Sequence, residues 1–269
     1  MAASAAGLIR SYPLTAYVVL AYVFSIVFGL GLFLSLIFGL IALFGPAAAA
    51  FIVSRVARGP AGVRELRAVT TRWRVHPGWY LAAVGLPIAG AAVGHLFYVL
   101  GGNAPLAVPG TVEPILLLLF VLVIGEEIGW RGFLLRGLLQ RYSPLVGTLI
   151  VAVVWALWHS PLYFIPGMPS YGQQFLPFVL WVLPLSFLLT WLWLGTRSVL
   201  LATIMHGSAN LAASIVFPLT DAPSLFIFSA LGTAVLAAVL VAVSIRRWLA
   251  PRAPDPDAVP STAVASQPA

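Results

Sequence analysis

The stretch Pro114–Gly132 reads PILLLLFVLVIGEEIGWRG: twelve uncharged residues run straight into two adjacent carboxylates, Glu126 and Glu127. One charge placed near a bilayer centre costs about 2.5–3.5 kcal/mol on insertion scales. Two acids at the end of such a run need a nearby partner, or a chemistry that uses a carboxylate away from bulk water. Arg131, four residues after Glu127, is the local partner.

The rest of the chain agrees with a membrane setting. Of 269 residues, 61% are hydrophobic and 8% are charged, whereas a soluble domain carries roughly 25% charged residues. The apolar runs are continuous rather than alternating, which excludes a β-barrel. The fold class is therefore all-α, a polytopic membrane helix bundle. A crossing needs about 20 apolar residues. Eight runs meet that length: Pro13–Phe33, Ser35–Val56, Gly78–Leu100, Val112–Leu135, Leu145–Phe164, Phe175–Gly195, Val199–Phe217 and Leu225–Ile245. The first is not a signal peptide, because Leu14–Phe44 is about twice the length of an h-region.

All basic residues are arginine, and there is no cysteine, so disulfides and thiolate chemistry are excluded. With eight spans, Arg10, the cluster Arg55–Arg74, Arg131–Arg141, Arg197 and Arg246–Arg252 fall on one side, and Glu113 and Asp221 fall on the other. The positive-inside rule makes the arginine side cytoplasmic and puts both termini there. The net charge of +7 thus reads as topology. Membrane lipid and a membrane-associated substrate are the expected partners, and nucleic acid is not. Residues 1–249 form one transmembrane domain. Residues 250–269, rich in Pro and Ala with Asp255 and Asp257, are expected to be a disordered cytoplasmic tail. Gly59–Val75 pairs Val63, Leu66, Val69 and Trp73 against Arg64, Arg67, Arg72 and Arg74. It is either a surface amphipathic helix or a plain basic loop.

Polar residues inside apolar spans are the candidates for chemistry. Glu127 and Arg131 are one helical turn apart, the favourable order for an ion pair. Glu126 points about 100° away and has no local counter-ion, which leaves it available as a base. Gly125 and Gly129 form a small-xxx-small surface that admits a neighbouring helix. His159 lies in the fifth run, four residues after Trp155; His206 and Asn210 lie one turn apart in the seventh. His76, in the basic loop, and His95, late in the third run, read as structural or interfacial.

A carboxylate, two histidines and an asparagine build two kinds of hydrolytic site. Glu126, His159 and His206 can bind zinc with one position open for water. Alternatively, Glu126 and His159 activate water directly while His206 and Asn210 stabilise an oxyanion. HExxH is absent. Spacing alone leaves both open. A proton-coupled transporter with Glu126, His159 and His206 as a relay is a different class; the lack of an internal repeat speaks against it. An inactive membrane scaffold or immunity protein is another, and the presence of every motif residue speaks against it.

Glu126-Glu127-x-x-x-Arg131, the aromatic Trp155 four residues before His159, and His206-x-x-x-Asn210 resemble the three motifs of the CPBP intramembrane proteases, the CAAX protease and bacteriocin-processing (Abi) group. The resemblance implies an eight-span membrane peptidase, with Glu126 as the catalytic glutamate and His159 as its partner. It makes His206 and Asn210 the oxyanion-stabilising pair, and Glu127 with Arg131 supporting residues. Trp155 departs from the usual Phe and is expected to form a cavity wall. Members are described both as metalloproteases and as metal-free glutamate enzymes. The metal-free form is favoured here, since a zinc site leaves Asn210 without a role. The resemblance also implies a bacterial plasma membrane location, with roles ranging from processing to immunity.

Overall fold

The computed structural model describes residues 4–103, 114–216 and 222–250. Glu113, Asp221 and the tail from Pro251 onward lie outside the described residues. Among those described, every regular element is a helix. The first three are α1 (Ala5–Ser11), α2 (Pro13–Leu30) and α3 (Leu36–Ala42). They lead into α4 (Gly45–Thr70) and α5 (Gly78–Leu100). Then come α6 (Pro114–Leu122), α7 (Ile124–Gly129), a π-helical turn at Trp130–Leu135, and α8 (Arg136–Leu138). The remainder is α9 (Pro144–Trp158), α10 (Ser160–Phe164), α11 (Phe175–Thr196), α12 (Val199–Val216), α13 (Ala222–Val243) and α14 (Ile245–Leu249).

Each apolar run of the sequence is helical, but not each is a single rod. Five helical segments are long and apolar enough to cross a membrane: Pro13–Phe33, Gly78–Leu100, Pro144–Phe164, Phe175–Thr196 and Phe226–Val243. The bent pair α3–α4, angled by 45°, makes a sixth. By length and composition, five to six of the eight expected crossings are matched among the described residues; α12 is shorter, and the run from Pro114 is divided between α6 and α7.

Local sequence explains the breaks. Ser143 caps α9 with its side chain on the Val146 N–H, and Pro144 fills the first position, where no N–H is needed. A turn at His159 separates α9 from α10, and Pro161 lies in the first turn of α10. In α4 the kink falls at Gly59-Pro60, with Gly59 at φ 63°, a left-handed backbone that suits glycine. Beyond the kink the helix buries Gly62, Leu66 and Val69 against the bundle. This basic segment is therefore neither a plain loop nor a free surface helix; it is a packed arm. At the fourth run Trp130 is fully buried edge-on to Tyr17 and Trp158. Gly129 and Gly132 flank it, and the chain widens there into the π turn, a feature common at functional sites.

Packing pairs α2 with α4, α5 with α12 and α13, α11 with α13, and α9 with α11. The α7 helix sits against α4 and α12, inside this ring. The core is rich in aromatics, with Trp130, Trp155, Trp193 and Trp248 wholly buried. Large apolar side chains such as Leu34, Leu81 and Val243 point outward, as a lipid-facing surface requires. Arginines far apart in sequence meet. Arg10 donates to the Val56 carbonyl at 3.2 Å, and Arg58 and Arg136 both hold Glu65. Ser198 donates to the Arg72 carbonyl at 2.5 Å.

Candidate active site

Gly125 and Gly129 bring α7 close to its neighbours, as their spacing predicts. A Cβ at Gly125 would lie 2.6 Å from the Leu43 carbonyl oxygen, and one at Gly129 would overlap Pro46 and the Tyr17 hydroxyl. The break before α7 places Glu126 and Glu127 in its first turn, with both of their N–H groups donating to the Val123 carbonyl. Glu126 is 3% exposed and Glu127 is wholly buried.

Glu127 and Arg131 form the ion pair that the sequence implies, at 2.9 Å with both side chains fully buried. Two further contacts extend this pair. Glu127 Oε1 also meets His206 Nδ1 at 2.9 Å. Arg131 Nη2 donates to Ser186 Oγ at 3.1 Å, and the guanidinium lies over the Trp155 ring at 4.7 Å. A carboxylate can only accept, so His206 carries its proton on Nδ1 and presents Nε2 elsewhere.

Trp155 is the hub of the other half. Its indole N–H donates to Glu126 Oε2 at 2.8 Å. Its carbonyl meets His159 Nδ1 at 3.0 Å. α9 ends here, and the His159 N–H turns to the Ala156 carbonyl rather than to that of Trp155. A carbonyl also only accepts, so His159 too holds Nδ1–H and presents Nε2. The ring of Trp155 lies 5.0 Å from that of His206 and 6.1 Å from that of His159. Trp155 thus joins Glu126 to His159 through its indole and its carbonyl.

The structure brings Glu126, Glu127, Arg131, Trp155, His159 and His206 into one connected cluster. Glu126 and His159 do not bond directly; Trp155 joins them. Asn210 lies one turn beyond His206 on α12 and is half-buried. No hydrogen bond links its amide to the cluster among the described residues. His76 Nδ1 accepts from the Gly78 N–H at the start of α5, and His95 stacks on Tyr98. Two participants have weak sequence signals. Ser186 is a lone hydroxyl in an apolar run. Tyr17 has no signal: its hydroxyl, with Glu127 Oε2, Trp130 Nε1 and Arg131 Nε, is buried without a partner among the described residues. Four such atoms suit ordered water beside the carboxylates.

Both imidazoles present Nε2, the nitrogen a zinc ion would take. Yet among the described residues no three His, Cys, Asp or Glu side chains are gathered so as to hold a metal ion.

Comparison with known proteins falls on this region. Residues 108–212 match a family model described as Type II CAAX prenyl endopeptidase Rce1-like. CAAX prenyl protease 2 from Methanococcus maripaludis is 37% identical over 105 residues, covering 36% of this chain and 39% of the relative's length. The matched stretch holds the Glu126–Arg131, Trp155–His159 and His206–Asn210 motifs, and there the chain is similar to the Rce1-like CAAX protease family; it spans 39% of that relative's length.

Proposed function

We propose that this chain is an intramembrane endopeptidase that hydrolyses a peptide bond of a membrane-associated substrate. Water is activated by Glu126 with His159, and the oxyanion is stabilised by His206 and Asn210. What carries the reading is the buried cluster that ties Glu126 and His159 to one tryptophan and His206 to Glu127, within the family-matched segment. Glu126 Oε2 is held by Trp155, so Oε1 is the oxygen that takes the proton of an attacking water. His159 Nε2 orients that water. As the water oxygen bonds to the carbonyl carbon, charge moves to the carbonyl oxygen. Donors from His206 Nε2 and the Asn210 amide act there, and Glu127 supports the imidazolium that such donation requires. The proton on Glu126 then goes to the leaving nitrogen as the C–N bond breaks.

The relative's name supplies a first substrate to try, a prenylated peptide ending in a CAAX sequence. On any cleaved peptide, His206→Ala and Asn210→Ala are expected to lower kcat with little change in KM. Fixed donors at an oxyanion act mainly on the transition state, and removing one typically costs about 10²–10³ in kcat. Zinc is the competing reading, because both histidines keep Nε2 clear. Stoichiometric zinc lost in His206→Ala, with near-normal turnover in Asn210→Ala, would overturn the metal-free assignment.

Trp155 is a positioning residue in this scheme. Trp155→Phe keeps the aromatic face under Arg131 and removes the donor to Glu126. A hydrogen bond to a charged group is worth about 1.5–3 kcal/mol, so kcat should fall by roughly tenfold or more at unchanged KM. Equal kcat in the two proteins would show that Glu126 does not depend on the indole.

A further inference from the structure

Peptide hydrolysis consumes water, yet the carboxylate cluster is closed off: Glu126 is 3% exposed, and Glu127 and Arg131 are wholly buried. A route for water through an apolar interior needs polar groups with hydrogen bonds to spare, because purely apolar cavities stay dry. One face of α11 carries such a row. Ser186, Thr190 and Trp193 stand at i, i+4 and i+7, on one side of the helix, over about 10 Å. All three are wholly buried.

Contacts fix both ends of the row. At one end Ser186 Oγ accepts from Arg131 Nη2 at 3.1 Å, beside the ion pair with Glu127. At the other end Trp193 and Arg136 line one cavity of about 260 Å³. A single water needs only about 10–15 Å³. Arg131 and Arg136 stand at the two ends of the π turn, so that turn and α11 run side by side from the cluster to the cavity. Thr190 lies between the ends.

Threonine inside a helix commonly turns its hydroxyl to the carbonyl four residues back. Thr70, Thr148, Thr196 and Thr203 all do so, at 2.7–2.9 Å. Thr190 does not: its Oγ1 has no hydrogen-bond partner among the described residues. The same is true of the Trp193 indole N–H, Arg131 Nε and Glu127 Oε2. Each such group costs about 1–3 kcal/mol if left dry. Water can serve all four. It accepts from the indole and the guanidinium, donates to the carboxylate, and takes either role at the hydroxyl.

We propose that bound water occupies this row and connects the cavity to the Glu127–Arg131 pair, supplying the buried site without an opening of the bundle. The peptidase reading enters only through the need for water. The test uses no substrate, so a negative result leaves that reading standing.

The full-length chain in detergent is followed by NMR, with nitrogen-15 on its Trp and Arg side chains and labelled Thr methyl groups. Trp193→Phe and Thr190→Val assign two of the signals, and Arg131→Met/Glu127→Gln assigns Arg131 Nε–H. Trp193 and Trp248 are both wholly buried, and the Trp248 indole donates to Ser244 Oγ at 3.2 Å. The Trp193 indole proton should exchange with solvent faster than that of Trp248. The Thr190 methyl should show a cross-peak to water. The Thr148 methyl should not, since Thr148 is equally buried and its hydroxyl is held by the Pro144 carbonyl. Thr190→Leu fills the middle of the row. Exchange at Arg131 Nε–H should then slow by about tenfold, the upper end of one hydrogen bond's net worth, while the Trp193 indole stays fast. Thr190→Val keeps the shape and should melt at or below the parent's Tm, because the hydroxyl it removes is hydrated. A dry, unpaired hydroxyl would instead make the valine protein more stable. A Trp193 indole as protected as that of Trp248, no water cross-peak at Thr190, unchanged Arg131 exchange in Thr190→Leu, or a raised Tm in Thr190→Val overturns the proposal.

Discussion

Glu126→Gln is expected to remove peptide hydrolysis while leaving the bundle folded. Glutamine has the same shape, and its amide oxygen still accepts from the Trp155 indole, which stands 2.8 Å from Glu126 Oε2. The amide cannot take a proton from water. Positioned acid–base groups contribute typically about 10²–10⁴-fold, so turnover should fall by at least the lower figure. KM should change little, because the lost interaction exists only as water attacks. Glu126 has no ion-pair partner among the described residues, so removing its charge strands nothing. Detergent-solubilised Glu126→Gln should therefore elute and melt like the parent. Turnover within a few-fold of the parent's would end the assignment of Glu126 as the base.

Arg131→Met should have the opposite signature, losing the fold first. Its guanidinium is wholly buried between Glu127, Ser186 and the Trp155 ring. Methionine fills similar volume without the charge. Glu127 would then remain ionised in an apolar interior with His206 alone, and breaking a buried pair on one side costs about 3–5 kcal/mol. That is a large share of a total near 5–15 kcal/mol. Little monodisperse protein should survive extraction. The double variant Arg131→Met/Glu127→Gln removes both charges and should recover much of that stability, but not activity, since His206 loses its carboxylate. If Arg131→Met melts with the parent, or the double variant is no more stable than the single one, the pair is not holding the interior together.

The two outcomes separate what the motif residues share. Glu126 and Glu127 are adjacent and equally apolar in their approach, yet their environments differ. One carboxylate has a single neutral donor, and the other has a guanidinium and an imidazole. The helical angle between neighbouring residues already separates them in the sequence.

The sequence by itself determined the helical class, the apolar runs and the Glu127–Arg131 pair. These rest on local rules: hydrocarbon length, the absence of alternation, and one-turn spacing. It also singled out Glu126, His159 and His206, because polar groups in hydrocarbon need a reason to be there. It did not show where a run breaks. Whether Pro114–Leu138 runs straight depends on how Trp130 fits between Tyr17 and Trp158, and those neighbours arrive from distant helices. Only the tertiary structure joined Glu127 to His206, 79 residues away, and the Trp155 indole to Glu126, 29 residues away. The same holds for the meeting of Arg136 and Trp193 around one cavity. Helical periodicity says which face a side chain takes. Which partner waits there is set by the packing of whole helices, which no local pattern encodes.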